Sequence, residues 1–217
     1  MFVEKRMSHP VITIKAGISI HDALNLMHKE GIRRLPVVND RGLMIGIISE
    51  LDILHANPSD ATSLSIWELN YLLSRITVAD VMTRDVVSVV VDTPIEEAAR
   101  IMADNKIGGL PVMRGNDLVG IITETDLFKV FLELLGAREA GIRITALVLD
   151  VPGELAKLTG AISAIGGNIV AMVQFLGESP ENRLVTLKVE GASKAQLEGA
   201  LKGIVAKLVD IRKTTVA

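Results

Sequence analysis

Cysteine is absent from the 217 residues, which excludes disulfides, thiol nucleophiles and cysteine-ligated metal. Its absence fits a reducing, cytoplasmic setting. Aromatic residues make up 3% of a chain that is 49% hydrophobic. Any core must therefore be built from Ile, Val, Leu, Ala and Met. No apolar run approaches the ~20 residues a membrane-spanning helix needs, and the opening Met1 to Met7 carries no apolar secretory segment. Neither sign of charge dominates. With 23 Lys and Arg against 26 Asp and Glu, the net charge of −3 argues against the basic face of a general nucleic-acid binder. His21 and His28 have no cysteine companions, so no metal site is implied. The glycine-rich dinucleotide fingerprint, the phosphate-binding P-loop and the Gly-x-Ser-x-Gly elbow are all missing.

What is there is one segment written twice. Leu35-Pro36-Val37 with Gly46-Ile-Ile-Ser49-Glu50-Leu-Asp52 is answered by Leu110-Pro111-Val112 with Gly120-Ile-Ile-Thr123-Glu124-Thr-Asp126. Upstream, Val3 to Met7 answers Val78 to Met82. Duplication of this kind usually stacks one supersecondary unit on its copy, because neither buries its apolar face alone.

Within the first copy, Val11 to Ile14 reads as a short strand. Ser19 reads as an N-cap with Asp22 in the first turn, and Ile20, Ala23, Leu24 and Met27 form a helical stripe that Gly31 ends. Pro36 to Val38 and Leu43 to Ile48 read as strands around the turn Asn39 to Gly42. The second copy repeats this, with Thr93 to Glu96 as a capping box and Ile95, Ala98, Ala99 and Met102 as the stripe. Between the copies a polar loop over 57–63 precedes a helix, with Trp67 as its packing anchor. After the second copy, Leu127 to Leu135 predicts a helix stopping at Gly136.

From residue 141 the pattern changes. Strands are expected at Ile142 to Leu149, Ile169 to Leu176, Leu184 to Val189 and Val209 to Lys213. Helices are expected around Leu155 to Ile165 and, capped by Ser193, through Leu197, Leu201, Ile204 and Leu208. The order is βαββαβ, the split βαβ layout. Apolar residues on both alternating sets of Ile142 to Leu149 call for a second partner, which a neighbouring subunit would supply.

The pairs Ser49/Asp52 and Thr123/Asp126 place a hydroxyl and a carboxylate three residues apart where a strand meets a helix. The plainest role is an ordinary N-cap. The same arrangement also suits a nucleotide. Helix-start N–H groups favour phosphate, and a carboxylate accepts hydrogen bonds from two ribose hydroxyls. Both roles can hold together. Arg33-Arg34 stands before Leu35-Pro36 where the second copy has Gly108-Gly109. Two such arginines at a helix–strand connection read most simply as a solvated face.

These residues resemble a pair of cystathionine-β-synthase (CBS) motifs forming a Bateman module. The resemblance spans 1–138, with motif 1 at 1–57, a linker helix at 64–76 and motif 2 at 77–135. It implies that Ser49 and Thr123 contact ligand phosphate and that Asp52 and Asp126 contact ribose. Arg33 and Arg34 would reach phosphate, while Gly108 and Gly109 leave the other cleft roomier; Gly109 counts among the nucleotide-binding positions. Residues 141–217 resemble an ACT domain through Asp150-Val-Pro-Gly153 and Gly167-Asn168-Ile169. That resemblance implies an amino-acid effector bordered by Asp150, Gly153, Asn168 and Ile169 at a subunit interface, with pure dimerisation as the competing role. A CBS pair followed by an ACT domain resembles the acetoin-utilisation B (AcuB) type.

The implied fold class is α+β: tandem βαββα-type motifs plus a ferredoxin-like βαββαβ domain. The implied function is non-catalytic regulation in the cytoplasm. AMP, ADP, ATP or S-adenosylmethionine would be the regulatory ligand, and no cofactor is required. The protein would be a homodimer or higher homo-oligomer acting on an unidentified target protein, without nucleic acid or membrane. A nucleotide hydrolase using Asp52 or Asp126 and a ligand-free scaffold are the alternatives.

Overall fold

The computed structural model describes residues 1–56 and 75–215, which fall into two compact units, Met1–Leu127 and Phe128–Ala217. The expected loop over 57–63, Trp67 and all but the last two residues of the expected helix over 64–76 lie outside the described residues.

The first unit holds two copies of one small fold. Copy one contains β1 (Ile14–Lys15), α1 (Ile20–Glu30), β2 (Arg34–Val38), β3 (Met44–Ser49) and α2 (Glu50–Ala56), with its sheet in the order β1-β2-β3. After α3 (Val78–Val81), copy two contains β4 (Val89–Val90), α4 (Ile95–Asn105), β5 (Gly109–Arg114), β6 (Asp117–Thr123) and the start of α5 (Glu124–Leu134), with its sheet in the order β4-β5-β6. In both sheets the first pairing is parallel and the second antiparallel.

Local chemistry explains most of the element ends. The Ser19 hydroxyl accepts the Asp22 N–H at the start of α1, and Gly31 closes that helix in the left-handed conformation. The strand expected over Val11 to Ile14 shrinks to Ile14–Lys15, where pairing with Val37 and Val38 begins. The capping box expected at Thr93 does not form. Pro94 takes the N-cap position, and the Thr93 hydroxyl instead accepts the Val90 N–H at 3.2 Å, tying the preceding turn.

The two copies exchange their leading segments. Val3, fully buried, and Met7 pack in the core of copy two with Leu110, Val112 and Ile122. Val78 and Met82 pack in the core of copy one with Ile20, Met27, Leu35 and Ile48. Backbone bridges follow the same crossing, Ser8 to Ile121 and Thr83 to Ile47. The repeated glycines make room for it. A Cβ on Gly46 would lie 2.7 Å from Met82 Sδ and 2.9 Å from the Thr83 carbonyl, and one on Gly120 would collide with Met7 Sδ.

The crossing segment α3 starts on a capped turn, in which Asp80 Oδ2 accepts the Thr77 N–H at 2.8 Å and the Thr77 hydroxyl at 2.6 Å. These bonds hold the Asp80 carboxyl below its ordinary value. A carboxyl lowered in the folded state stabilises above its unfolded pKa, and the contribution is lost as pH falls through the folded value. Acid should therefore loosen α3, and Asp80→Asn should remove this part of the pH dependence in acid titration followed by circular dichroism.

The second unit contains β7 (Gly141–Leu149), α6 (Glu154–Ala164), β8 (Asn168–Leu176), β9 (Asn182–Glu190), α7 (Lys194–Leu201) and β10 (Lys207–Thr214). The strand order β10-β7-β9-β8 with antiparallel neighbours is the split βαβ arrangement. Ile144, Val148, Val185, Leu187 and Val189 form its core with Leu158, Ile162, Leu197 and Leu201 of the helices. The helix expected to continue through Ile204 and Leu208 ends at Leu201. Gly203 turns the chain at φ 82°, and Leu208 lies in β10. On the other alternating set Thr145 and Thr186 join hydroxyls at 3.2 Å. Buried Lys188 donates to the Gly136 and Glu139 carbonyls just past α5, at 2.6 Å each. This set is thus part polar, where the sequence suggested an apolar one.

Candidate functional site

The register of β2 against β3 sets Arg34 opposite Ser49, and that of β5 against β6 sets Gly109 opposite Thr123. Each pair lies where a strand hands over to a helix. The Glu50 N–H donates to the Arg33 carbonyl at 2.9 Å, and the Glu124 N–H to the Gly108 carbonyl at 3.2 Å. These bonds turn the chain so that the hydroxyl–carboxylate pairs open α2 and α5.

Both pairs are closed caps. Asp52 Oδ2 accepts the Ser49 N–H at 2.8 Å and the Ser49 hydroxyl at 2.6 Å, while the Ser49 hydroxyl accepts the Asp52 N–H at 3.3 Å. The Thr123/Asp126 pair repeats this at 3.0, 2.7 and 3.4 Å, with Asp126 buried. The capping role therefore holds at both. The Thr77/Asp80 turn has the same geometry, so the cap by itself does not distinguish a binding position.

Ser49 and Asp52 also line a cavity of about 500 Å³. It is lined by Arg33, Arg34, Ser49, Glu50 and Asp52 from copy one, and by Thr83, Asp85, Val87, Lys106, Gly108 and Gly109 from copy two. The volume is that of small-molecule sites in general. The glycines were expected to widen a different cleft from the one with the arginines. They line the same one, because the two copies face each other across it. Gly108 is where the Arg34 guanidinium lies: a Cβ there would collide with Arg34 Nη2 and stand 2.6 Å from a Glu124 carboxylate oxygen. Burial pulls the Arg34 guanidinium below its ordinary value, and neighbouring Arg33 adds to that; Glu124 and Asp52 pull the other way. The Arg34 guanidinium thus lies in the field of carboxylates from both copies.

Gly108→Ala should leave stability nearly unchanged, since the flexible end of Arg34 can swing away, but it must displace that guanidinium. Thermal melting and ligand titration in parallel would separate the two effects. Lys106, Asp85 and Val87 were not foreseen as lining residues. They come from copy two, and nothing local to copy one signals them.

The four expected effector positions do not meet within one chain. β8 runs parallel to β7, since Ile169 and Ile142 both pair with Val189, while Leu149 and Leu176 both lie at the Asn182–Arg183 end. Asp150 and Gly153 therefore lie at one end of the sheet and Asn168 and Ile169 at the other, roughly 25 Å away at 3.3 Å per residue. Asp150 is held by Arg183 at 2.7 Å. Gly153 is the N-cap of α6 with φ 93°, a conformation that L-residues rarely adopt. Asn168 and Ile169 border a shallow depression beside Gly160 and Ser163.

Among the described residues no group of three or more His, Asp or Glu side chains is arranged to hold a metal. No helix among them is long and apolar enough to cross a membrane.

The CBS domain family matches residues 3–59 and 78–133, and the TTHA0829-like ACT domain matches residues 140–212. Three solved structures, each at a TM-score of 0.52, resemble the first unit. The CBS domain pair of protein MJ0100, in complex with 5′-methylthioadenosine and S-adenosyl-L-methionine, is 29% identical, over 64% of this chain and 98% of that one. An acetoin utilization protein (AcuB) from Vibrio cholerae is 32% identical, over 63% and 93%. CBSX2 in complex with AMP is 29% identical, over 61% and 97%. Among curated relatives, a homoserine O-acetyltransferase from Methanococcoides burtonii is 37% identical over 57% of this chain, which spans only 23% of that protein. With both repeats matched and the crossed packing in place, the chain belongs to the CBS-domain family, as a CBS pair followed by an ACT domain.

Proposed function

We propose that the protein is a non-catalytic regulator that takes an adenosine-containing ligand in the cavity at Ser49 and Asp52. The single observation carrying this reading is the coincidence there of a capped helix start, a carboxylate and two arginines around about 500 Å³ of space. The similarity to CBS pairs solved with AMP, S-adenosyl-L-methionine and 5′-methylthioadenosine supports adenosine as the shared part of the ligand. Asp52 would take the ribose hydroxyls, and Arg33 and Arg34 the phosphate, with Ser49 and the first N–H groups of α2 beside it. Thr123 and Asp126 would serve a second ligand in the same way. No reaction is assigned, and no cofactor is required. The ligand would act by favouring one packing of the two copies, which works only through differential affinity for two states. Mass spectrometry of small molecules released from the purified chain, followed by calorimetry with the nucleotide found, tests this. A chain that releases nothing and binds none of AMP, ADP, ATP or S-adenosylmethionine would overturn it.

The ACT domain is proposed to join two chains in the cytoplasm. Met172, Phe175 and Leu176 stand exposed on its outer strand β8, with Leu176 81% exposed. An amino-acid effector touching both Gly153 and Asn168 would need two chains, since one chain holds them at opposite ends. Phe175→Glu should convert the protein to a monomer in sedimentation, and with it abolish any thermal stabilisation by amino acids. A monomeric wild type would refute the joining role.

A further inference from the structure

The helices α1 and α4 are copies of each other and end in the same left-handed turn. In copy one the closing residue is Gly31, φ 65°; in copy two it is Lys106, φ 54°. Glycine takes this conformation freely, whereas a residue with a Cβ pays for it. Among the described residues Lys106 is the one non-glycine with positive φ. Nothing in the helix end requires a lysine, since Gly31 closes the other copy with the same pair of backbone bonds, to the residues three and four before it. The lysine side chain makes no hydrogen bond or ion pair with a described residue. It lines the cavity two residues before Gly108, the position over which the Arg34 guanidinium lies. Arg33, on the same cavity, likewise makes no ion pair with a described residue.

Three carboxylates share the lining. Asp52 Oδ2 is already occupied by the Ser49 N–H and hydroxyl, and Glu50 stands 3.3 Å from His28 Nε2. Asp85 is exposed on the segment leading into β4.

We infer that Lys106 is a phosphate-binding residue of the Ser49/Asp52 cavity, supplied by copy two. With Arg33 and Arg34 it forms a three-cation lobe that selects a nucleoside di- or triphosphate over a monophosphate. This rests on the proposed adenosine site and adds its phosphate preference. One phosphate can be met by the two arginines, whose forks bind its oxygens bidentately. A third cation across the cavity has work only when the phosphate chain extends beyond the first group. The backbone strain at Lys106 fits a position held for such a contact.

Lys106→Gly tests this without endangering the fold, because it installs the residue that copy one uses. Full-length wild type and variant are titrated calorimetrically with adenosine, AMP, ADP, ATP and inorganic tripolyphosphate, with melting temperatures measured alongside. The expected wild-type order is ATP and ADP above AMP by about tenfold or more, the scale of one charge-assisted hydrogen bond. The variant should lose about that factor for ATP, ADP and tripolyphosphate, change less than about twofold for AMP and adenosine, and melt no lower than wild type. A wild type that binds AMP as well as ATP, or a variant with the wild-type ATP-to-AMP ratio, overturns the inference while leaving the adenosine site standing. If adenosine and all its phosphates fail to bind, the adenosine reading falls and this inference with it.

Discussion

Asp52→Asn should weaken binding of the adenosine ligand by about ten- to a hundredfold, while the protein keeps its fold. Asparagine retains an oxygen that can accept the Ser49 N–H, so the start of α2 stays capped. It loses the charge and the second carboxylate oxygen, which ribose hydroxyls would use. Hydrogen bonds to a charged group are worth about 1.5–3 kcal/mol, and 1.4 kcal/mol is a factor of ten. Asp80→Asn is the matched control, since the Thr77/Asp80 turn has the same bonds and does not line the cavity. Calorimetry on both variants decides. If Asp52→Asn binds like Asp80→Asn, the carboxylate is only a cap, and the proposed ribose contact is wrong.

Met82→Ala should destabilise the first unit by about 2–5 kcal/mol, the usual cost of emptying a buried methionine site. The distribution of the damage carries more information than its size. Met82 belongs by sequence to copy two, yet packs at 7% exposure among Ile20, Leu35 and Ile48 of copy one. Amide hydrogen exchange should therefore quicken in β2 and β3 ahead of β5 and β6. Met7→Ala should show the reverse pattern more weakly, because Met7 is only partly buried against copy two. Uncrossed copies would lose protection each in its own strands, and that result would refute the exchange.

The duplication, the alternation of apolar residues and the capping residues placed most elements, and the resemblance to CBS motifs and an ACT domain supplied the fold class. Ser19, Gly31 and Ser193 act where the sequence put them, because a cap is decided within four residues of chain. Thr93 failed because Pro94 took the cap position and the threonine hydroxyl had a competing N–H three residues before it in Val90. Leu208 was misplaced because a helical stripe and a strand edge share apolar residues over a short run, and only Gly203 separates them.

The site divides along the same line. The caps Ser49/Asp52 and Thr123/Asp126 were legible, since a hydroxyl and a carboxylate three residues apart are a local arrangement that the duplication underlines. Which charges share a cavity was not legible. That Arg34 lies over Gly108, that Lys106 lines one cavity with Asp52, and that Gly46 and Gly120 are small because methionines of the opposite copy pass over them depend on pairs of residues far apart in the chain. The sequence determined that Asp150 and Asn168 flank helix α6. Only the strand order, which carries β8 parallel to β7 past β9, decided that they stand at opposite ends of the sheet. Local backbone chemistry reads out residue by residue, whereas the neighbours of a side chain across a core are fixed only when the apolar faces of separate elements are buried together.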